Sequence, residues 1–272
     1  MEKLAKIINR QITFEVYDTS KNWIADFPTE NWALVIVAED ENKNYFDEII
    51  RKAIDRNVGY IHCVGKQHDL IHNMADEEIQ MLDKISKAFH AKGKKVVVIL
   101  NIGGVIETAS WKDKVDAILL AWQPGQEGGH SVADVISGKV NPSGKLPWTM
   151  PKQLKDSPAH ATNSFPGGKT VNYAEGILVG YRWFDTKNVT PLYPFGYGLS
   201  YSKFEYSDMQ LTSNSFAKNG KIEVSVNIKN TGKVTGKEVV QMYIRDLIGS
   251  ITRPVKELKG FEMIELKPGS QK

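Results

Sequence analysis

Hydrophobic positions along the chain follow two different rhythms. Over residues 12–122, short continuous apolar runs at 12–16, 33–37, 58–64, 96–100 and 117–122 alternate with amphipathic stretches. Unbroken runs of this length predict strands covered on both faces. Between them, Tyr45, Phe46, Ile49, Ile50, Ala53 and Ile54 recur at helical spacing, as do Ile79, Leu82, Ile85, Ala88 and Phe89. Lys92-Gly93-Lys94-Lys95 reads as a helix stop, with a glycine and cations at the C-terminus. One more helix is predicted over 127–137, burying Val132, Val135 and Ile136. Strand, helix and strand in succession imply right-handed crossovers and a parallel sheet.

From 141 to 198 this rhythm stops, and proline, glycine and aromatic residues crowd together. A long segment of this kind is read as a packed loop whose aromatics lie against something, rather than as a linker. From Phe204 onward the period becomes two. In 221–230, Ile222, Val224, Val226 and Ile228 alternate with polar residues, the pattern of a half-buried antiparallel strand. Asn230-Thr231-Gly232 reads as a turn, and 239–245 and 258–266 as further strands. These features begin a β-sandwich, which takes about seven strands and ~100 residues. Only about 70 residues follow Ser200, so four or five strands are expected. Pro268-Gly269 then reads as a turn into a strand that the chain does not reach. The predicted organisation is an α/β domain over 1–140, an aromatic segment over 141–200 packing on it, and a partial β-sandwich over 201–272.

Composition narrows the class. With 41% hydrophobic and 25% charged residues the chain is globular in type. No apolar run approaches the ~20 residues of a membrane-spanning helix. A net charge of +3 from 35 basic and 32 acidic residues, scattered along the chain, argues against a nucleic-acid partner. Cys63 is the single cysteine, so no internal disulfide forms. The N-terminal residues lack the apolar stretch of a signal peptide, which places the protein in the cytoplasm if Met1 is the true start. Gly167-Gly168-Lys169-Thr170 ends like a phosphate-binding loop but has Asn163 where that motif needs glycine. Asn101-Ile102-Gly103-Gly104 lacks the three-glycine dinucleotide fingerprint. Neither supports nucleotide binding.

The best candidate for chemistry is the loop 122–129, which follows a strand and opens a helix. That places it at the carboxyl edge of the sheet, where open α/β folds bind ligands. Trp122 can stack on a ring, and Gln123, Gln126 and Glu127 can bond hydroxyls. The alternative is structural: Pro124-Gly125 makes the turn, Glu127 favours the helix N-terminus, and Gly128-Gly129 permit close packing.

Four stretches carry a resemblance. They are VDAILLAWQPGQEGG (115–129) continuing into ADVISGKVNPSGKLPWTMP (133–151); VNYAEGILVGYRWFD (171–185); PLYPFGYGLSYSKFEY (191–206); and GKEVVQMYIRD (236–246) with RPVKELKGF (253–261). In this order and spacing they resemble the C-terminal half of glycoside hydrolase family 3, the β-glucosidase and β-xylosidase type. The resemblance implies a three-layer αβα sandwich with a mostly parallel sheet, then an incomplete fibronectin-III-like β-sandwich. It also implies a missing (β/α)8 barrel, in the same or another chain, that carries the nucleophilic aspartate. Both ends of the chain then look truncated.

The implied reaction is hydrolysis of terminal β-linked glucose or xylose, with retention and without a cofactor, on a β-linked oligosaccharide or glycoside. Retention takes two carboxyl groups about 5–5.5 Å apart. In the family the acid/base glutamate sits on a loop after a strand ending in Val-Gly. The matching loop here, Lys66 to Asn73, lacks the Glu-Gly-x-Asp-Arg-like segment that such loops carry in the family. Glu77 and Glu78 fall at the start of the next helix, where they read as dipole-favoured carboxylates. His68 and Asp69 are the substitutes, since a histidine held by an aspartate can act as a general acid; a solvated polar turn is the plainer reading. His62, His68 and His72 lack a matched carboxylate for zinc, so no metal is expected. Glu175 lies in a motif-rich segment and either lines the barrel interface or packs. The isolated chain is expected to be inactive. The alternative function is a non-catalytic module that binds carbohydrate or docks onto a barrel.

Overall fold

The computed structural model describes residues 32–37, 76–215 and 220–272. The strands expected at 12–16 and 58–64, the helix expected over 45–54, and the loop with His68 and Asp69 lie outside the described residues. The chain divides into two compact units, one of residues 1–137 with 150–161 and one of 138–149 with 162–272.

The first unit holds a parallel sheet of β1 (Trp32–Val37), β2 (Lys95–Leu100) and β3 (Ala117–Leu120), in that order. Ala33 pairs with Val96, and Val97 with Ala117. In the central strand, neighbouring residues Val98, Ile99 and Leu100 are all buried, although successive side chains point to opposite faces. Both faces are therefore covered, as the unbroken apolar run predicts. On α1 (Asp76–His90), Leu82, Ile85 and Phe89 are buried and recur at helical spacing. Each such side chain stabilises the fold by about 1.5–3 kcal/mol through burial.

The expected helix stop is a Schellman motif. Gly93 takes φ +68°, Lys94 N donates to Phe89 O, and Gly93 N donates to His90 O. Lys94 follows with its ammonium 6.0 Å from the Phe89 ring centre, and burial pushes its pKa down.

At the amino edge of the sheet, Asp116 ties three elements together. Its Oδ2 accepts from Val96 N at 2.8 Å and from His90 Nε2 at 2.8 Å, and its Oδ1 from Lys95 Nζ at 2.7 Å. Burial alone would raise the Asp116 pKa, but these three donors outweigh it and hold the carboxyl at about 2. A folded pKa below the unfolded value stabilises the fold above about pH 4 and is lost as pH falls towards 2. Asp116→Asn is expected to cost roughly 1–2 kcal/mol at pH 7, allowing for partial solvent screening. It should also flatten the stability curve between pH 4 and 2. Urea midpoints at pH 7 and pH 3 check this; equal losses at both would contradict it.

The next helix, α2 (Gly128–Ile136), is entered through a single 3-10 turn, Gly125–Glu127. It begins one residue later than expected. Its fully buried side chain is Ala133, with Val132, Val135 and Ile136 half-buried. A short helix, α3 (Pro158–Ala161), completes the unit.

The part of the aromatic segment in the second unit contains α4 (Tyr181–Lys187), which the sequence pattern does not reveal, while Trp148, Phe165, Tyr173 and Tyr197 are exposed. Trp183 and Phe184 are buried on it. Leu146 and the 196–197 turn exchange backbone hydrogen bonds, and Asn141 bonds Thr235 O, Ser200 Oγ and Tyr201 N. Residues 141–149 and 196–201 are thus tied to the strands that follow. Those strands form two antiparallel pairs: β4 (Phe204–Leu211) with β5 (Val224–Asn230), and β6 (Gly236–Ile244) with β7 (Glu257–Leu266). Ile228, Ile264 and Leu266 join the two pairs in one core with Phe204, Val226 and Val240. The Pro268-Gly269 turn leads back onto the chain: Ile228 and Lys272 exchange backbone bonds of 2.9 and 3.0 Å on the free edge of β5.

Asn230, where the predicted strand meets the predicted turn, is the last residue of β5 and is 0% exposed. Its Oδ1 accepts from Ser202 Oγ at 2.6 Å and Gly232 N at 2.9 Å; its Nδ2 donates to Val234 O and Leu266 O, each at 2.9 Å.

Candidate functional site

The β3–α2 loop leaves the carboxyl end of the parallel sheet. β3 stops at Leu120, two residues earlier than expected, because Trp122 adopts φ +55°. A bulky side chain in the left-handed region is rare and carries backbone strain. That conformation turns the chain away from the strand, with the ring half-buried. Gln123, next in line, is exposed. Its Nε2 lies 3.1 Å from where a Cβ on Gly103 would stand. The loops that follow β2 and β3 therefore meet at this edge, and the absence of a side chain at 103 lets them.

The turn into α2 is similarly tight. A Cβ on Gly128 would lie 2.5 Å from Pro124 Cγ, so the glycine allows the proline ring to fold over the helix start. Gln126 and Glu127 are exposed. Glu127 Oε2 accepts a hydrogen bond from His130 Nδ1 at 2.5 Å, and Ser131 Oγ donates to the Glu127 carbonyl at 3.1 Å. The imidazole holds the carboxylate at the helix entrance. His130 is not among the residues singled out from sequence, although Glu and His three apart share a helix face and can be paired on spacing alone.

Trp122, Gln123, Gln126 and Glu127 thus share one exposed loop: an aromatic ring, two amides and a carboxylate oriented by histidine. That set can hold a hydroxylated ring. It contains a single carboxylate, whereas retaining hydrolysis takes two. Glu175 belongs to the other unit. It is half-buried, its Oε2 makes no hydrogen bond among the described residues, and its carbonyl accepts from Leu178 N at 3.0 Å. His68 and Asp69 fall outside the described residues. No group of metal-ligating side chains comes together among the described residues, and no described helix is long and apolar enough to cross a membrane.

Residues 18–201 match the family model for the glycosyl hydrolase family 3 C-terminal domain, and residues 238–272 match a fibronectin type III-like domain. The chain is 40% identical over 245 residues to beta-glucosidase BoGH3A of Bacteroides ovatus, covering 89% of this chain and 30% of that protein. It is 51% identical over 178 residues to the thermostable beta-glucosidase B of Acetivibrio thermocellus, covering 65% of this chain and 23% of that protein. Among solved structures, beta-glucosidase 3B from Thermotoga neapolitana in complex with α-D-glucose aligns with a TM-score of 0.73 at 37% identity. That alignment covers 100% of this chain and 36% of the other. The chain spans less than a third of the length of these two curated relatives.

Proposed function

From the premise that this chain belongs to glycosyl hydrolase family 3, we propose that it is the C-terminal part of a retaining β-glycosidase. The substrate class is terminal β-linked glucose or xylose. In this reading the α/β unit is part of a three-layer αβα sandwich, and the second unit leads into a fibronectin-III-like sandwich. The nucleophile comes from a (β/α)8 barrel in the same or another chain.

The observation that supports this best is the β3–α2 loop. Its strained Trp122, held at the carboxyl edge beside Gln123, Gln126 and Glu127, suits the face and hydroxyls of a pyranose. Trp122 stacks on the ring, the amides bond hydroxyls, and His130 keeps Glu127 turned for the same task. Glu175 faces the barrel, and His68, oriented by Asp69, is the candidate general acid. The second reading, a carbohydrate-binding or docking module, is favoured by the single carboxylate on the loop.

The test is an aryl β-glucoside given to the purified chain. Turnover below roughly a thousandth of an ordinary kcat of ~10 s⁻¹ is expected. Turnover near the ordinary value would overturn the proposal, because the chain would then supply both carboxyl groups by itself.

A further inference from the structure

The second unit contains a cleft of about 330 Å³, at the lower end of the size range for small-molecule sites. Its walls come from α4, the 191–195 stretch, β4, β6 and the approach to β7. We infer that this cleft binds a single neutral pyranose ring.

Three observations support that ligand class. The first is the aromatic wall. Tyr181 lies 5.0 Å from Phe195, tilted by 33°, and 5.8 Å from Tyr243 at 84°, so three packed rings line the cleft together. Aromatic faces take the apolar C–H face of a sugar and also its flat profile.

The second is charge. The ionised groups lining the cleft are Asp185 and Lys256, and they offset each other: Lys256 Nζ is 3.3 Å from Asp185 Oδ2 and 5.4 Å from the Tyr243 ring centre. A neutral ligand meets no net charge there, whereas an anion would have to compete with Asp185 and a cation with Lys256.

The third is hydrogen-bonding capacity on fixed groups. Tyr243 O–H donates to Gln241 Oε1 at 2.7 Å, and Gln241 Nε2 donates to Gly196 O at 3.1 Å, which locks the amide and leaves its second N–H. The Tyr181 hydroxyl accepts Leu258 N–H at 2.8 Å and retains its own hydrogen for donation. Thr149 Oγ1 is buried and makes no hydrogen bond among the described residues. A buried polar atom in that condition is costly, which favours a hydroxyl-bearing occupant over an apolar one. Donors and acceptors thus accompany the aromatic wall, the combination that a sugar's hydroxyls and C–H face use.

This inference is independent of the reading given to the β3–α2 loop, and the test separates them. Methyl β-D-glucopyranoside is titrated into the full chain, followed by calorimetry and saturation-transfer NMR. A saturable site with Kd on the order of 1 mM is expected. Val239→Phe, which fills the cleft, and Lys256→Met, which removes the cation from Asp185, should each weaken it at least tenfold with thermal unfolding still cooperative. Trp122→Ala should leave this site in place. Binding lost in Trp122→Ala but intact in both cleft variants would assign the sugar to the loop and overturn the inference. So would the absence of saturable binding, or phenol binding more tightly than the glucoside.

Discussion

Replacing Asn230 with alanine is expected to destabilise the β-strand unit by about 3 kcal/mol. The side chain is fully buried and makes four hydrogen bonds, two accepted and two donated. Each contributes roughly 0.5–1.5 kcal/mol net, and the partners left behind are themselves partly or wholly buried. Val234 O and Leu266 O lose a donor, while Ser202 Oγ and Gly232 N lose an acceptor. The amide therefore links the end of β5 to the end of β7 and to the turn between β5 and β6. Asn230→Asp should be no better, because a carboxylate oxygen would replace the Nδ2 donor in front of two carbonyls. Ser202→Ala removes a single bond and should cost only about 1 kcal/mol. Urea unfolding of the three variants, followed by near-ultraviolet circular dichroism, checks the order; an Asn230→Ala loss below 1 kcal/mol would contradict it.

Trp122→Gly is expected to divide stability from function. Glycine accepts φ +55° without the 1–2 kcal/mol that a left-handed backbone costs other residues. That gain offsets much of the packing that the half-buried ring supplies, so stability should change by less than about 1 kcal/mol. In the proposed assembly with a barrel, kcat/KM should fall on the order of 100-fold, the equivalent of about 2.7 kcal/mol. Trp122→Phe, which keeps an aromatic face, should recover part of the loss. The comparison uses kcat/KM and urea midpoints on the same preparations. A Gly variant with unchanged kcat/KM would remove Trp122 from the sugar site; one that unfolds far more easily would make the ring a packing residue.

Much of the architecture is legible in the hydrophobic pattern where one interaction dominates. β2 is covered on both faces, so its residues are apolar without interruption. α1 buries one stripe, so Ile79, Leu82, Ile85 and Phe89 recur at its period. The stop at Gly93 is legible because a left-handed position singles out glycine. Boundaries are less accessible where backbone conformation, not hydrophobicity, sets them. β3 ends at Leu120 through the φ of Trp122, a property that an apolar run extending to that residue conceals. α4 is hidden because its seven residues sit among prolines and glycines and are too few to show a helical period. Asn230 is the most instructive case. The alternation of Ile222, Val224, Val226 and Ile228 places position 230 on the same face, and carrying that parity one step further marks Asn230 as buried. Its residue type, common in turns, points the other way. At the candidate site, loop 122–129 is legible because the strand-to-helix order puts it at the carboxyl edge. The approach of Gln123 to Gly103 is not, since it joins loops from two strands.

If this chain supplies sugar contacts and a candidate general acid but no nucleophile, mixing it with a separately expressed family 3 barrel should restore hydrolysis. Hydrolysis of an aryl β-glucoside is followed for the chain, the barrel and the mixture. Both parts alone should stay near background and the mixture should gain at least ~1,000-fold, to within reach of an ordinary kcat of ~10 s⁻¹. Full activity in the chain alone, or a stable complex of the two that remains inactive, would contradict this.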